Sequence, residues 1–285
     1  MTDAKPTAVL KYPGAKNLLA PWIISFFPEH DLYIEPFGGS AAVLLRKKPS
    51  KIEVYNDLNS ELVNFFRVLR DGEKCRELVR LLELTPYAKE EYASAYLEYP
   101  SDSDVEKARK TYVKSFQGFG AKGLLKPNGW RRSSSGTETK MATYAFYRNA
   151  EGLLDCVDRL HNVFIENEDA FSVIERYDSV NALFYLDPPY LGDFAKMYAV
   201  GSHEREFHER LIDAVLSIKG MAVLSGYGSG LYRGRLDGWK MEARETKNLL
   251  HDIRQEVLWL NPALQERLGR KAECDTGQKS VDAFF

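Results

Sequence analysis

The chain of 285 residues is 44% hydrophobic, so it can bury a substantial core and fold as one large domain or two modest ones. No apolar run approaches the roughly 18 residues that span a bilayer, and the N-terminus lacks the pattern of a secretory signal, so we predict a cytoplasmic protein with no membrane partner. The net charge of −2 indicates no class of partner, because the charge is unevenly spread along the chain.

Apolar, β-branched segments recur along the chain and predict buried strands. They lie at residues 32–35, 52–56, 162–166, 182–187 and 221–227, with a late strand in "EVLWLNP". Segments of helical period lie between several of them, including "SELVNFFRVLRDG", which Gly72 ends, and "EREFHERLIDAVLSIKG", which Gly220 ends. Strands that alternate with helices predict an α/β fold with a mostly parallel sheet and helices on both of its faces.

Residues 59–160 interrupt this alternation, because helical patterns dominate there and few strands are visible. We interpret them as a mainly helical insert that divides the α/β domain into 1–58 and 161–285. Between Lys107 and Arg148, ten basic residues stand against one acid, which gives a local charge of +9. Aromatic residues are interleaved with the basic ones, as on surfaces that track phosphates and stack on bases. The insert therefore predicts a nucleic-acid partner.

The aromatic residues in this basic stretch are Tyr112, Phe116, Phe119, Trp130, Tyr144, Phe146 and Tyr147. Its sequence "KPNGWRRSSSG" predicts a tight turn at residues 127–129, followed by a serine loop that is mobile or contacts phosphate. Arg131 and Arg132 follow that turn, and we predict that they lie at the tip of a hairpin or loop that reaches the nucleic acid.

A glycine-rich motif follows the first predicted strand, in "YIEPFGGSAAVLL". Ligands of doubly wound sheets bind at the carboxyl ends of the strands, which is where this motif falls. The strand ends at Glu35, and Gly38 and Gly39 permit a tight turn that a ligand can approach closely. "SAAVLL" then opens a helix whose N-terminus favours negative charge.

An acid follows the second predicted strand, in "IEVYNDLNSEL". Asp57 lies roughly 20 residues after the glycine turn, the position of an acid that accepts hydrogen bonds from both hydroxyls of a ribose. The alternative is an N-cap for the following helix, a role that Asn56 and Asn59 could also fill. Together, the glycine turn and the acid suggest an adenosine-bearing cofactor.

The stretch "NALFYLDPPYLGD" places an acid, two prolines and a tyrosine directly after a buried strand. Pro188 and Pro189 have a fixed φ and no N–H, so nearby carbonyl oxygens are held as unpaired acceptors. The Asp187 carboxylate and one rigid carbonyl can accept both hydrogens of an exocyclic –NH2 group, and Tyr190 adds a flat face. A plain turn after a strand would explain one proline but neither the acid nor the aromatic residue. We therefore interpret the motif as an amine clamp.

At these residues the sequence resembles the Dam-like, D12-class DNA adenine N6-methyltransferases. "KYPGAK" resembles the family's N-terminal K-[WY]-x-G-G-K element, "IEPFGGSAAV" its cofactor turn, "YNDLN" its acidic ribose element and "LFYLDPPY" its catalytic signature. The elements occur in family order over nearly the whole chain, although Ala15 and Ala41 stand where the family often has glycine. The resemblance implies a Rossmann-like methyltransferase fold, with residues 59–160 as DNA-recognition insert between two catalytic parts. It also implies double-stranded DNA as partner, and we expect a monomer or weak dimer.

The resemblance implies a role for each residue that matches a family motif. Asp187 and the Pro188 carbonyl would accept the hydrogens of the N6 amine of a flipped-out adenine, beside the rigid Pro189, and Tyr190 would stack on the base. S-adenosyl-L-methionine would donate the methyl group. The residues expected to bind it are Tyr12, Lys16, Glu35, Pro36, Phe37, Gly38, Gly39, Ser40, Asp57, Asp169 and Asp187. The residues expected to bind DNA are Lys122, Lys126, Trp130, Arg131 and Arg132.

Other interpretations stay open at this point. A cytosine N4-methyltransferase uses the same amine chemistry but usually has Ser in place of the acid at Asp187. RNA or a small amine could be the acceptor, although a small molecule would leave the basic insert without a purpose. A catalytically inactive DNA-binding relative is disfavoured by the intact "KYPGAK", Asp57 and "DPPY". The five histidines, among them His208, have no metal-site arrangement, so we predict surface roles for them and no metal.

Overall fold

The computed structural model describes residues 9–124, 126–132, 136–190, 205–226, 228–247 and 253–270. The strands in these ranges are β1 (Leu32–Glu35), β2 (Ile52–Asn56), β3 (Val163–Glu166), β4 (Ala182–Leu186), β5 (Met221–Gly226), β6 (Lys240–Lys247) and β7 (Ile253–Leu260). The helices are α1 (Ala20–Ile24), α2 (Ser60–Arg70), α3 (Gly72–Leu84), α4 (Lys89–Ser94), α5 (Asp104–Gln117), α6 (Gly136–Glu151), α7 (Val157–Leu160), α8 (Ala170–Tyr177), α9 (Arg205–Ser217), α10 (Gly230–Arg235) and α11 (262–270). None of these helices is long and apolar enough to cross a bilayer.

These strands form one sheet in the order β3-β2-β1-β4-β5-β7-β6. β4 runs parallel to both of its neighbours, with Phe184 opposite Ile34 of β1 and Ala222 of β5. β7 runs antiparallel to β5 and to β6. This is the doubly wound order 3-2-1-4-5-6 with an antiparallel strand inserted near one edge. The predicted Rossmann-like α/β fold is confirmed, and the strand order reverses between β1 and β4, where such sheets bind ligands.

Two features of the elements differ from the sequence analysis. The edge strand β6 was not predicted, because its sequence "KMEARETK" is polar and mostly exposed, and only its pairing with β7 makes it a strand. Gly72 does not end α2, since that helix ends at Arg70 and Gly72 begins α3. Asp71 stands between the two helices, and its side chain caps α3 by accepting from the N–H groups of Glu73 and Lys74.

The chain divides into two compact units. Unit 1 comprises Met1–Pro21, Gly38–Pro49 and Tyr55–Glu168, and unit 2 comprises Trp22–Phe37, Ser50–Val54 and Asp169–Phe285. The core of unit 2 consists of strand side chains packed with α8, α9 and α10, and includes Phe184, Leu186, Leu211, Val215 and Tyr232. The predicted boundaries of the insert stay a prediction.

The core of unit 1 is rich in aromatic residues from its helices. Tyr112 and Phe116 of α5 stack with ring centroids 4.3 Å apart, and the Tyr112 hydroxyl donates to the Phe146 carbonyl at 2.7 Å. Tyr112, Phe116 and Phe146 are fully buried. These three aromatic residues of the basic stretch therefore belong to the core, and the expectation that they form part of a base-stacking surface is wrong.

Candidate active site

The glycine motif forms a tight turn that is held against the end of β2. A Cβ atom on Gly38 would lie 2.2 Å from Cε2 of the buried Tyr55 ring, so this position accepts no side chain. The Gly38 N–H donates to the carbonyl of Asn56 at 2.7 Å, and the Tyr55 hydroxyl donates to the carbonyl of Gly39 at 2.8 Å. One backbone bond and one side-chain bond therefore fix the turn.

The backbone after Gly38 is left-handed at two positions. Gly39 has a φ of +50°, and Ala41 has a φ of +53°, a conformation that costs a residue with a Cβ about 1–2 kcal/mol. The predicted helix in "SAAVLL" is not formed, because residues 42–46 are successive turns. The turns include helix-like bonds from Leu45 to Ala41 and from Lys47 to Val43, both 3.0 Å. The left-handed residue explains the difference, since a right-handed helix can begin only after it.

Asp57 lies just beyond β2, and both of its carboxylate oxygens accept backbone hydrogen bonds. They accept from the N–H groups of Gly39 and Asn59, both at 2.8 Å. Burial raises the pKa of Asp57, although these two N–H groups act in the opposite direction. The cap of α2 is Asn59, which accepts from the Glu61 N–H at 2.9 Å, so Asp57 is not the helix cap. Asp57 instead holds the glycine turn, and each of its oxygens has a second lone pair for a further donor.

Asn56 ties the loop after β3 to the end of β2. Its Nδ2 donates to the carbonyl of Glu168 at 3.0 Å, and its Oδ1 accepts from the N–H of the same residue at 2.9 Å. Asn167 adds a bond from its Nδ2 to the Asp57 carbonyl at 2.8 Å. Asn56 is fully buried, so water does not compete for these bonds. The pairing joins residues 112 positions apart, and no local sequence signal could have revealed it.

The N-terminal element lies beside the glycine turn. A Cβ atom on Gly39 would lie 3.4 Å from Cε1 of Tyr12, so this ring borders the turn. Lys16 is buried, and its ammonium group donates to the carbonyl of Gly14 at 3.0 Å. Tyr12 and Lys16 are thus placed in the same unit as the glycine turn and Asp57.

In unit 2, β1 ends in a buried carboxylate. The Tyr33 hydroxyl donates to Glu35 Oε1 at 2.6 Å, which supplies part of the hydrogen bonding that a buried carboxylate requires. Burial, together with the charge of Glu35, raises the pKa of Tyr33 well above its usual range. Pro36 and Phe37 follow the strand, and the Phe37 ring lies edge-on to that of Phe207 with centroids 6.4 Å apart.

Asp187 directly follows β4, and it belongs to a cluster of polar groups in which Asp187 and Tyr190 are half-buried and Ser225 and Glu256 are buried. The Tyr190 hydroxyl lies 3.0 Å from Asp187 Oδ1 and 2.8 Å from Ser225 Oγ, and it also contacts Glu256 Oε1. Ser225 donates to Glu256 at 2.9 Å. Burial, followed by the charges of Asp187 and Glu256, raises the pKa of Tyr190 well above its usual range, so the phenol keeps its proton. Sequence analysis missed Ser225 and Glu256, which lie 35 and 66 residues beyond Tyr190.

A small pocket beside this cluster is lined by residues that include Pro188, Tyr190 and His208. His208 is 1% exposed, so the expectation of a surface role for it is wrong. It occupies the apolar face of α9 at helical spacing from Leu211 and Ile212, and its Nδ1 lies 2.6 Å from the Tyr232 hydroxyl. Burial lowers its pKa, which favours the neutral imidazole.

Asp169, the predicted partner of the cofactor adenine, lies at the start of α8. Its carboxylate is 3.5 Å from the guanidinium group of Arg210, and the pair is half-exposed. Arg210 also lies over the ring of Phe171, 3.8 Å from its centroid. The role of Asp169 toward a cofactor stays a prediction.

Residues 129–131 of the insert pair with residues 117–119 at the base of a short hairpin. The predicted turn at 127–129 is wrong, because the turn residues lie at 123 and 124. The Phe119 N–H donates to the Gly129 carbonyl at 2.9 Å, and the Arg131 N–H donates to the Gln117 carbonyl at 2.7 Å. Arg131 and Arg132 therefore lie at the base of the hairpin, and their predicted place at its tip is wrong, because the backbone of Arg131 pairs with the end of α5. The exposed residues Lys122 and Lys126 lie nearer the tip. The predicted serine loop at 133–135 lies outside the described residues.

Trp130 and its neighbours brace this hairpin. The Trp130 indole N–H donates to Gln117 Oε1 at 3.2 Å, and its ring lies 5.8 Å from that of Tyr87. Asn128 donates to the Phe119 carbonyl at 2.6 Å and accepts from the Tyr92 hydroxyl at 2.5 Å. The Phe119 side chain is 66% exposed. The hairpin therefore presents an exposed aromatic ring, while the half-buried Trp130 supports it.

Several cations between residues 107 and 114 form ion pairs with acids of the same chain. The ion pairs are Lys110–Asp102 (2.6 Å), Lys114–Glu61 (2.8 Å), Arg109–Glu106 (2.7 Å) and Arg109–Glu91. Every acid in these pairs precedes residue 107 and so falls outside the window that gave a charge of +9. The charge that is free to meet an anion is accordingly smaller than the sequence count.

The strand order, the glycine turn bonded to an acid after β2, and the Asp-Pro-Pro-Tyr segment after β4 are those of a Rossmann-like methyltransferase fold. Residues 12–251 match the D12 class N6 adenine-specific DNA methyltransferases, and the chain belongs to this family. It is also similar to the Type II methyltransferase M1.LlaDCHI of Lactococcus lactis subsp. cremoris, with 27% identity over 198 residues. That match covers 64% of this chain and 64% of the relative's length. The predicted family is confirmed.

Proposed function

We propose that this protein transfers the methyl group of S-adenosyl-L-methionine to the N6 amine of an adenine that is flipped out of double-stranded DNA. The observation that carries the proposal is the Asp187 carboxylate, which follows β4 at the switch point of the sheet and is bonded to Tyr190. The family match over residues 12–251 supports the same reaction.

The test is transfer of a labelled methyl group to duplex DNA, followed by analysis of the modified nucleoside and sequencing of the modified sites. We expect N6-methyladenine. N4-methylcytosine would support the alternative base, and cofactor binding without any labelled product would indicate an inactive DNA-binding relative.

In this reaction, Asp187 would make the adenine amine a better nucleophile. The amine nitrogen of adenine is a poor nucleophile, because its lone pair is delocalised into the ring. Asp187 and the Pro188 carbonyl would accept hydrogen bonds from the two N–H groups of the amine and so favour a tetrahedral nitrogen, while Tyr190 would stack on the base. S-adenosylmethionine, when bound, supplies an electrophilic methyl group. A preorganised hydrogen-bonding group of this kind stabilises the transition state by about 3 kcal/mol.

The residues around the glycine turn fit an adenosine-bearing cofactor. Gly38 and Gly39 let a ligand approach the backbone, and the carboxylate of Asp57 has lone pairs for the ribose hydroxyls. We propose that the turn, from Glu35 through Pro36 and Phe37 to Ser40, borders the methionine part of the cofactor. Tyr12 and Lys16 would also bind the cofactor, and Asp169 would bind its adenine.

Asp57→Ala is expected to weaken S-adenosylmethionine binding, because two ribose hydroxyls lose a charged acceptor. Bonds of this sort contribute about 1.5–3 kcal/mol, and calorimetry with the cofactor alone measures the loss. Asn59→Ala is the matched control. It removes the cap of α2, which costs about 1 kcal/mol of stability, and should leave the cofactor affinity unchanged. Unchanged affinity in Asp57→Ala would limit this residue to holding the turn.

A cluster of cations at the base of the hairpin supports DNA binding. Burial and the charge of Arg131 lower the pKa of Lys11 to about 8, so the two cations lie close enough to disfavour each other. An anion between them would relieve that repulsion. We propose that Lys11 of the N-terminal element binds the DNA backbone together with four cations of the insert, Lys122, Lys126, Arg131 and Arg132. Trp130 braces the hairpin of the insert.

The double change of Arg131 and Arg132 to alanine is expected to reduce the salt dependence of DNA binding. The slope of log affinity against log salt should fall by about 0.9 for each phosphate that no longer meets an arginine, with cofactor affinity unchanged. Binding to several duplexes at a series of salt concentrations measures this, and we expect a uniform loss across sequences. Arg267→Ala with Arg270→Ala removes the same charge from exposed positions of α11 and should not alter the slope.

An unchanged salt slope in the Arg131 and Arg132 variant would show that these arginines do not contact phosphate and that another surface binds DNA. Arg109, Lys110 and Lys114 are engaged in ion pairs, so the next candidate is α6. Lys140, Tyr144 and Arg148 are exposed there at helical spacing, with the Arg148 guanidinium 5.8 Å from the Tyr144 ring.

Two broader proposals concern biological context. The similar protein is named a Type II methyltransferase, which supports a role for this chain in restriction–modification. Methylation confined to one short site in sequenced DNA is the expected result. A monomer or weak dimer stays our prediction for the oligomeric state, and light scattering with and without duplex DNA measures it.

A further inference from the structure

The Tyr190 hydroxyl is within hydrogen-bond reach of two carboxylates at once. Asp187 Oδ1 lies 3.0 Å away, and Glu256 Oε1 is in still closer contact. Glu256 belongs to β7 and is 7% exposed, so its carboxylate is screened from water. Ser225 of β5 adds a second hydroxyl, 2.8 Å from the Tyr190 oxygen and 2.9 Å from Glu256 Oε1.

The phenol has one proton, so it can donate to only one carboxylate at a time. Donation to Asp187 would occupy a lone pair of the group that must accept hydrogens from the adenine amine. Donation to Glu256 removes the phenol as a competitor for that lone pair. Ser225 donates to the same Glu256 oxygen, so Glu256 Oε1 collects the hydrogen bonds of both hydroxyls. The raised pKa keeps the phenol protonated. The acceptors around the hydroxyl therefore determine which carboxylate receives its hydrogen bond.

We propose that Glu256 is a positioning residue for methyl transfer, which accepts the hydrogen bond of the Tyr190 hydroxyl, so that this hydroxyl does not compete with the substrate amine for Asp187. The same bond fixes the Tyr190 ring, through its hydroxyl, in one orientation toward the base. This inference rests on the proposed function, because it concerns how Asp187 meets an amine.

Glu256→Gln tests the inference without changing the size of the side chain. The neutral amide oxygen accepts a hydrogen bond less strongly than a carboxylate, and the amide NH2 group can donate to the Tyr190 oxygen, so donation from the phenol to the Asp187 carboxylate becomes favoured. We expect the single-turnover rate of methyl transfer to fall by about tenfold or more, with cofactor and DNA affinities equal to those of the wild type. Glu245→Gln is the matched control, since it makes the same change at an exposed position of β6, and it should keep the wild-type rate.

A double variant distinguishes a redirected Tyr190 hydrogen bond from a purely structural role of Glu256. Tyr190→Phe keeps the ring but removes the hydroxyl, so Glu256→Gln then has no proton to redirect. We expect the double variant to transfer methyl groups at the rate of Tyr190→Phe alone. A purely structural role would make the two losses multiply. That multiplication, or a wild-type rate in Glu256→Gln, would overturn the inference.

Glu256→Asp covers the case in which Glu256→Gln does not fold. It keeps the charge but withdraws the acceptor by one methylene group, so the phenol proton should again turn to Asp187. We expect a slower rate with Tyr190 present and no further loss in Tyr190→Phe, and equal rates for Glu256→Asp and the wild type would refute the inference. Failure of the proposed function would appear differently, as wild-type protein that forms no N6-methyladenine.

Discussion

Asp187→Ala is expected to abolish methyl transfer while DNA binding stays close to that of the wild type. The carboxylate acts on the adenine amine and not on phosphate, and loss of one preorganised group at a reacting centre costs about 10²–10³ in rate. Asp187→Asn should be crippled as well, because its amide keeps one acceptor but brings an NH2 that can face the amine. Single-turnover transfer of labelled methyl groups measures the rate, and fluorescence anisotropy with a labelled duplex measures binding.

The control for Asp187→Asn is Asp213→Asn, which makes the same change on α9 of the same unit. Asp213 is exposed and pairs with Arg235 at 2.7 Å, and such surface pairs contribute little to stability. This variant should retain wild-type rate and binding. Near wild-type turnover in Asp187→Asn would remove the amine clamp from the mechanism, whereas loss of folding with loss of activity would assign Asp187 a structural role.

Gly38→Ala is expected to destabilise the protein and to impair cofactor binding. The added carbon would lie 2.2, 2.5 and 2.9 Å from three atoms of the Tyr55 ring. That ring is buried and its hydroxyl is bonded to the Gly39 carbonyl, so it cannot move without breaking the bond that holds the turn. Overpacking of this kind costs about 1–3 kcal/mol. Thermal unfolding measures the destabilisation, and calorimetry measures the cofactor affinity.

Gly234→Ala is the matched control for this prediction. An added Cβ there meets no atom within 4 Å, and the position lies in α10, so alanine should be neutral or stabilising by up to about 1 kcal/mol. A Gly38→Ala variant with wild-type stability and affinity would show that the Tyr55 ring can give way. Partial recovery in Gly38→Ala with Tyr55→Leu would confirm the ring as the source of the clash.

The sequence predicted the parts of the fold that depend on local patterns. β1, β2 and β4 are apolar runs because central strands are covered on both faces, and their predicted positions agree with the structure to within one residue. The site motifs are also local, since Asp57 and Asp187 directly follow strands and Gly38 lies three residues after the end of β1. The resemblance of these motifs to those of a known family was sufficient to predict the family.

Features that depend on distant partners could not be predicted in this way. The acids that neutralise Arg109, Lys110 and Lys114 lie on other segments, so a count along the chain overestimated the free charge. Glu256 reaches Tyr190 only because β7 is inserted next to β5. A single sequence does not distinguish an acid on a late strand that faces water from one that contacts a tyrosine hydroxyl.

Ala41 restricts which amino acids this lineage can accept at the end of the glycine turn. Its left-handed backbone disfavours β-branched and bulky residues. Asparagine and aspartate tolerate that backbone better, but Ala41 is fully buried, and their polar groups would lack water. The left-handed backbone and the burial of position 41 together exclude most residues other than glycine and alanine. Substitution at this position should therefore drift between those two residues during evolution, and a saturation library at position 41 should recover the same pair.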